Sequence, residues 1–376
     1  MGPGFLAAMY GLPAMRDRHR QAVRRIGFAG RREVAHRRFP GRAIAAAGAV
    51  GGATASVVIE RRHLRRIAED PEYARLNALG EGRPLSVRSA DGTSLHVEVF
   101  GPDDAPSLLL AHGWTEQLTL WASVIRELSA RGLRLVAYDL RGHGRSGRAA
   151  GGDYGLQRLG EDVEAVLAAS VAEGSRATVV GHSLGAMSIA AWAEHHEVET
   201  RACAAALVNT GFGGLIAGNL LLPELVRWLN EPLAKRVFLG SHAPVPSVST
   251  PFQQAVIRYC AFGPAATLGQ LTFYERMLVS CPPDVRAACG LAMADMDLRS
   301  AVARLTVPTL VVAGACDKLT PPSHARRIAE ALPRLAQLIE LADTGHMSPL
   351  ERPAELSAAL AMLVAELAPG RGAGAA

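Results

Sequence analysis

Short apolar runs, each closed by a Gly, Asp or Asn, punctuate the chain from about residue 107 onward: SLLLAHG, LRLVAYDL, ATVVGHS, CAAALVNT, PTLVVAG and QLIELAD. Runs of this length with polar stops predict strands buried on both faces, as in a parallel sheet. Ahead of them, LSVRSADG and SLHVEVFG alternate around Asp91 and Gly92, the pattern of a β-hairpin. Between the runs the apolar spacing switches to a helical period in LWASVIRELSARG, which stops at Gly132, in LQRLGEDVEAVLAASV and in SHARRIAEALPRL. Strand–helix alternation implies right-handed crossovers. The expected fold class is α/β, with a doubly wound, mainly parallel sheet.

One stretch breaks the alternation. Residues 213–300 are apolar and helical in texture, with prolines from Pro223 to Pro283 as punctuation. They are expected to form a helical cap inserted over the carboxyl edge of the sheet, where such folds bind ligands. The chain then divides into an arm (1–66), a linker (67–83), a first core segment (84–212), the cap (213–300), a second core segment (301–367) and a Gly/Ala-rich tail (368–376).

Composition changes this picture at the N-terminus. The 376 residues are 49% hydrophobic and 20% charged, the balance of a chain with a sizeable core. The net charge of +5 is unevenly spread. Residues 1–66 hold fourteen Arg, no Lys and three acids, a local +11, which leaves the remaining 310 residues at −6. Such an arm suits anionic lipid headgroups, or is a solvated tail. Its Arg residues are not interleaved with a regular set of stacking aromatics, so nucleic acid is not expected as a partner.

Within the arm, residues 43–59 form an uncharged, Ala/Gly-rich run near the lower length limit for a membrane span. Arg37, Arg38 and Arg42 precede it, Arg61, Arg62, Arg65 and Arg66 follow, and Gly48 and Gly52 make a GxxxG. Three readings fit. A weak membrane anchor is the first, and the Arg excess before the run then favours an inside N-terminus. The second is a signal peptide cleaved near Ala53-Thr54-Ala55. The third is a helical hairpin packed on the domain. Membrane association is accordingly the first expectation for localisation, with cytoplasmic or exported as alternatives; Met15 offers a second start. Five cysteines without C-x-x-C spacing argue against a disulfide scaffold and against zinc.

The candidate chemistry lies in Gly181-His182-Ser183-Leu184-Gly185, between the strand ATVV and the helical run AMSIAAWAEHH. Strand–turn–helix is the context that a G-x-S-x-G nucleophile elbow requires. Gly181 and Gly185 give the tight turn room, and the helix N-terminus favours a developing negative charge at Ser183. His112-Gly113-Trp114 ends the strand SLLLA, which assigns the backbone N–H groups of Trp114 and Leu184 to an oxyanion hole. His112 and His182 are read as shaping these turns. The acid is placed at Asp317 after TLVV, and the base at His346 after QLIEL. The order Ser183, Asp317, His346 is the one expected for this fold. Asp343 is a fallback acid, close in sequence to His346, and Asn209 occupies the place after CAAALV where another acid could sit.

These motifs, with YDLRGHGRS at 138–146, make the chain resemble the α/β-hydrolase fold superfamily from about Pro84 to Leu367. The resemblance implies structural roles for Asp139 and His143. Members with Asp in place of Ser183 dehalogenate or open epoxides, so neither chemistry is implied here. The Arg-rich start also resembles actinobacterial lipases and esterases. Two other motifs carry less. Gly142 to Gly147 fits G-x-G-x-x-G, but RAAGGDYG after it is no helix, which argues against a dinucleotide. His195 and His196 lie at a polar helix end without completing a zinc set.

No cofactor or metal is called for. The reading is a serine hydrolase that cleaves esters of hydrophobic acyl groups through an acyl-enzyme. The aromatic and apolar residues of the cap, such as Trp228, Phe262 and Tyr274, suit an acyl pocket or pack the cap onto the core. A cofactor-free haloperoxidase or perhydrolase, a thioesterase, and a non-catalytic binding protein are the alternatives.

Overall fold

The computed structural model describes residues 62–149, 151–215 and 239–367. The apolar run 43–59, the tail 368–376 and residues 216–238 of the expected cap lie outside the described residues. No helix among the described residues is long and apolar enough to cross a membrane.

Eight strands form one sheet: β1 (Arg83–Arg88), β2 (Ser94–Phe100), β3 (Ser107–Ala111), β4 (Arg134–Tyr138), β5 (Ala177–His182), β6 (Ala202–Val208), β7 (Thr309–Gly314) and β8 (Leu335–Leu341). Their order is β1-β2-β4-β3-β5-β6-β7-β8. The hairpin β1–β2 is antiparallel and β2 joins β4 antiparallel; every other pairing is parallel. The central strands are the continuous apolar runs, and β5 and β7 are buried at every residue. A strand covered on both faces has no solvent side on which to place polar residues.

Helices cover both faces. On one lie α3 (Leu156–Ser170) and α4 (Leu184–His195), with Val163, Val166, Met187 and Ile189 in one apolar cluster. On the other lie α2 (Ala122–Ala130) and α9 (Pro353–Leu367), with Val124, Ile125, Leu356 and Leu360 in the second. Helix α2 ends on Gly132 at φ 76°, and Leu133 N–H returns to Leu128 O, a left-handed stop that glycine adopts without Cβ strain. Helix α4 buries all ten residues from Leu184 to Ala193, which explains its nearly uncharged sequence.

The helices α5 (Pro251–Ala261), α6 (Leu268–Ser280) and α7 (Pro283–Ala294) lie in sequence between β6 and β7, and α8 (Pro322–Ala331) between β7 and β8. Thr267 and Gln270 make a reciprocal capping box at the start of α6. Leu271, Phe273 and Met277 of α6 join the core cluster on the α2–α9 face. The segment expected as a linker contains a helix, α1 (Pro71–Leu76), which packs against α6. Asp70 caps it, Pro71 opens it and Leu76 is buried, and Gly269 N–H also donates to Asp70. Local capping together with one buried anchor converts the segment from connector to element.

Candidate active site

The sheet brings three chain segments to one edge: the turn after β5, the loop after β7 and the loop after β8. Ser183 sits at the first, with φ 49° and ψ −114°. Few residues other than glycine hold these angles, so the turn must be held by its surroundings. Ser183 N–H donates to Val208 O at 2.9 Å, and Thr210 Oγ1 donates to Ser183 O at 3.0 Å. A Cβ on Gly181 would meet Ala186 N, and one on Gly185 would meet Ala111 O. The elbow and the end of β3 therefore touch backbone to backbone.

Asp317, after β7, is buried and surrounded by donors. Its Oδ1 accepts the Leu319 and Thr320 N–H groups, each at 2.9 Å. Its Oδ2 accepts Thr320 Oγ1 at 2.9 Å and Asn209 Nδ2 at 3.1 Å, and lies 2.8 Å from His346 Nδ1. Burial alone would raise the carboxyl pKa. The charge and hydrogen bond of His346, with the Thr320 and Asn209 donors, outweigh it and hold the pKa below the ordinary carboxylate value. With Nδ1–H given to Asp317, the acceptor nitrogen of a neutral His346 is Nε2.

The loop carrying His346 is pinned. His346 N–H donates to Ala261 O at 2.8 Å, and Cys316 N–H to Thr344 O at 2.8 Å. Glu351 accepts the N–H groups of Gly263, Gly345 and Met347 at 2.7, 3.0 and 3.2 Å. Asp343 is exposed, and no hydrogen bond links it to His346.

Three further histidines are fixed by their partners. Leu140 N–H donates to His112 Nε2 at 2.9 Å, so Nδ1 carries the proton and donates to Gly113 O at 2.8 Å. Burial and the neighbouring His143 push the His112 pKa well down, consistent with a neutral ring. His143 is neutral in the same way, accepting from Thr115 N–H and donating to Arg141 O. His182 is different. Its Nδ1 lies 3.0 Å from Glu116 Oε2 and its Nε2 2.8 Å from His346 O, so both nitrogens face acceptors. Burial opposes the charge on His182, but the Glu116 carboxylate and the His346 carbonyl outweigh it and raise the pKa. With an acceptor facing each nitrogen, the surroundings favour the protonated ring, paired with Glu116.

Glu116 also accepts Gly113 N–H. That bond fixes the loop presenting Trp114, whose indole Nε1–H donates to Arg286 O of α7 at 2.9 Å. Neither Trp114 nor Leu184 gives its backbone N–H to an acceptor among the described residues. The His182 and His346 rings are 5.0 Å apart between centroids, which places His346 beside the elbow. No hydrogen bond joins Ser183 Oγ to His346 among the described residues.

The chain matches the model of the alpha/beta hydrolase family over residues 108–359. It belongs to that family. The eight-stranded sheet, with β2 alone running against the other strands and helices on both faces, is consistent with that family's fold. Among curated hydrolases, 3-oxoadipate enol-lactonase 2 of Acinetobacter baylyi is 26% identical over 270 residues, 70% of this chain and 91% of that one. The non-heme chloroperoxidase of Streptomyces lividans is 25% identical over 261 residues, 68% of this chain and 87% of that one. Among solved structures, an esterase from Rhodococcus sp. ECU1013 superposes with TM-score 0.62 at 25% identity, covering 76% of this chain and 99% of that one. The chain is thus an alpha/beta hydrolase enzyme.

Sequence reasoning missed Glu116 and Thr320, and read Asn209 only as a missing acid. Glu116 left a signal, as the lone acid between the apolar strand β3 and the apolar run LTLW. Thr320 stands three residues past Asp317, a spacing at which a hydroxyl and N–H return to a carboxylate. Asp139 accepts Leu118 N–H and Arg145 N–H at 2.8 Å each, which makes it a turn anchor.

Proposed function

We propose that this alpha/beta hydrolase cleaves carboxylic esters of hydrophobic acyl groups through an acyl-enzyme formed on Ser183. The observation carrying the reading is the buried 2.8 Å Asp317–His346 hydrogen bond beside a serine held in a left-handed strand–helix turn. In this reading His346 Nε2 takes the Ser183 proton as Oγ attacks the ester carbonyl, and later returns it to the leaving alcohol. Asp317 holds the tautomer and stabilises the imidazolium. The Trp114 and Leu184 N–H groups receive the oxyanion, a contribution of about 3 kcal/mol per donor in comparable sites. Water then attacks the acyl-enzyme, with His346 as general base.

The test is labelling with a fluorophosphonate probe and turnover of p-nitrophenyl esters of increasing chain length, on wild type and Ser183→Ala. Labelling and turnover that vanish in the variant support the reading. A folded wild type that neither labels nor turns over overturns it and leaves a binding protein on this fold.

The likeness to a chloroperoxidase favours a second reading, in which hydrogen peroxide replaces water in attacking the same acyl-enzyme and releases a peracid. Peracid formation from acetate and hydrogen peroxide, lost with Ser183→Ala, separates the two. Membrane association through residues 43–59 is part of the same proposal. Recovery of the full chain in the membrane fraction, lost on deleting 43–59, tests it.

A further inference from the structure

A cavity of about 610 Å³ has neither Ser183, Trp114 nor His346 in its lining. Its volume falls within the roughly 300–1,000 Å³ typical of small-molecule sites. Three cations line it, Arg66, Arg258 and Lys318, and no acid does among the described lining residues. Phe262, Leu268 and Leu271 supply an apolar wall.

The two half-buried cations are matched only to neutral partners. Arg258 Nη1 donates to Ala266 O at 2.7 Å. Lys318 Nζ donates to Tyr259 O at 3.0 Å and stands 3.6 Å over the Tyr259 ring. Neither has a carboxylate partner among the described residues, so their charge remains available to an incoming anion. Gln254 lies one helical turn before Arg258, is 3% exposed and has no partner for Oε1. Behind Gln254 stands the buried Glu275 carboxylate, which repels an anion at that end and assigns the charged head to Arg258 and Lys318.

We propose that this cavity binds a single-chain anionic amphiphile, its carboxylate or phosphate on Arg258 and Lys318 and its alkyl chain along Phe262, Leu268 and Leu271. The proposal does not depend on the ester-hydrolase reading. Cys316 and Lys318, both in the lining, flank Asp317, so the cavity backs onto the loop that carries this residue.

The test is calorimetric titration of the full chain, carrying Ser183→Ala, with monomeric dodecanoate. Dodecanoate should bind saturably, at least about tenfold more tightly than dodecan-1-ol. Adding Arg258→Gln and Lys318→Gln should weaken it about tenfold or more while the melting temperature stays close to that of the parent. Should that variant fail to fold, Leu268→Trp fills the wall while keeping both cations and should abolish binding. Equal affinity for the alcohol, undiminished binding in both variants, or no saturable binding overturns the proposal. Monomeric octanoyl lysophosphatidylglycerol, which has one chain, separates the sources. Tighter binding than dodecanoate identifies a lipid headgroup and weaker binding a free fatty anion, and either upholds the anion site.

Discussion

Glu116 and His182 form an ion pair beneath the elbow, 3.0 Å apart, with side-chain exposures of 2% and 0%. Through it the loop after β3, the turn after β5 and the loop carrying His346 become one hydrogen-bonded unit. Glu116 holds Gly113 N–H on one side, and His182 donates to the His346 carbonyl on the other. Removing one partner of a buried pair leaves an uncompensated charge. Glu116→Ala should cost about 3–5 kcal/mol, and Glu116→Gln, which keeps the shape, about 1–3 kcal/mol. Denaturant unfolding measures both. For the proposed ester hydrolysis, kcat of Glu116→Gln should fall more than KM rises, because the loop presenting Trp114 loses its anchor.

The same pair sets a pH dependence. The native His182 pKa lies above the ordinary 6.5, so the native state holds this proton more tightly than the unfolded chain. Its contribution is full below pH 6.5 and is lost as pH rises through the raised native pKa. Melting temperatures across this range should fall for wild type relative to Glu116→Gln. Parallel curves for the two proteins would contradict an imidazolium at His182.

Asp317 holds its charge in a buried place because five donors converge on it. Thr320→Val removes the hydroxyl and leaves the N–H groups. It should lower kcat about tenfold, equivalent to about 1.4 kcal/mol, with KM little changed. Asp317→Asn should be far worse, about 10⁴-fold in kcat, because an amide can present its N–H to Nδ1 and hold the wrong tautomer. Steady-state kinetics on a p-nitrophenyl ester compares them.

The backbone at Ser183 is strained, at φ 49° and ψ −114°. Glycine relieves this strain and alanine does not. Ser183→Gly should therefore be more stable than Ser183→Ala by about 1 kcal/mol, read by denaturant unfolding. The opposite holds next door. Gly185→Ala forces a Cβ onto Ala111 O and should destabilise by about 1–3 kcal/mol or prevent folding.

Much of the fold could be read from local pattern. A strand buried on both faces excludes polar residues, so ATVV and TLVV announce β5 and β7 without knowledge of their neighbours. The positions of Ser183 and Asp317 near strand ends were readable for the same reason, whereas β8, ahead of His346, is an edge strand without a fully buried residue and was marked only by its apolar texture. Helix α1 was not readable, because its six residues are held by a buried Leu76 packed against α6, nearly two hundred residues away. The aromatic residues of the segment read as a cap, Phe252, Tyr259, Phe262 and Phe273 among them, were expected to line an acyl pocket or to pack onto the core, and they divide by burial. Phe262 and Phe273 are core, whereas Phe252 is 79% and Tyr259 57% exposed.

By itself, then, the chain determined the α/β class, the strand ends that carry Ser183, Asp317 and His346, and the small residues the elbow needs. These are local properties, set by periodicity and by the room a turn allows. Tertiary structure alone decided the charge states around them. Glu116 is 66 residues from His182, Asn209 is 108 from Asp317, and Arg258 and Lys318, 60 residues apart, line one cavity. Whether a buried group keeps its charge depends on which dipoles and charges surround it in space, and no local pattern along the chain records that.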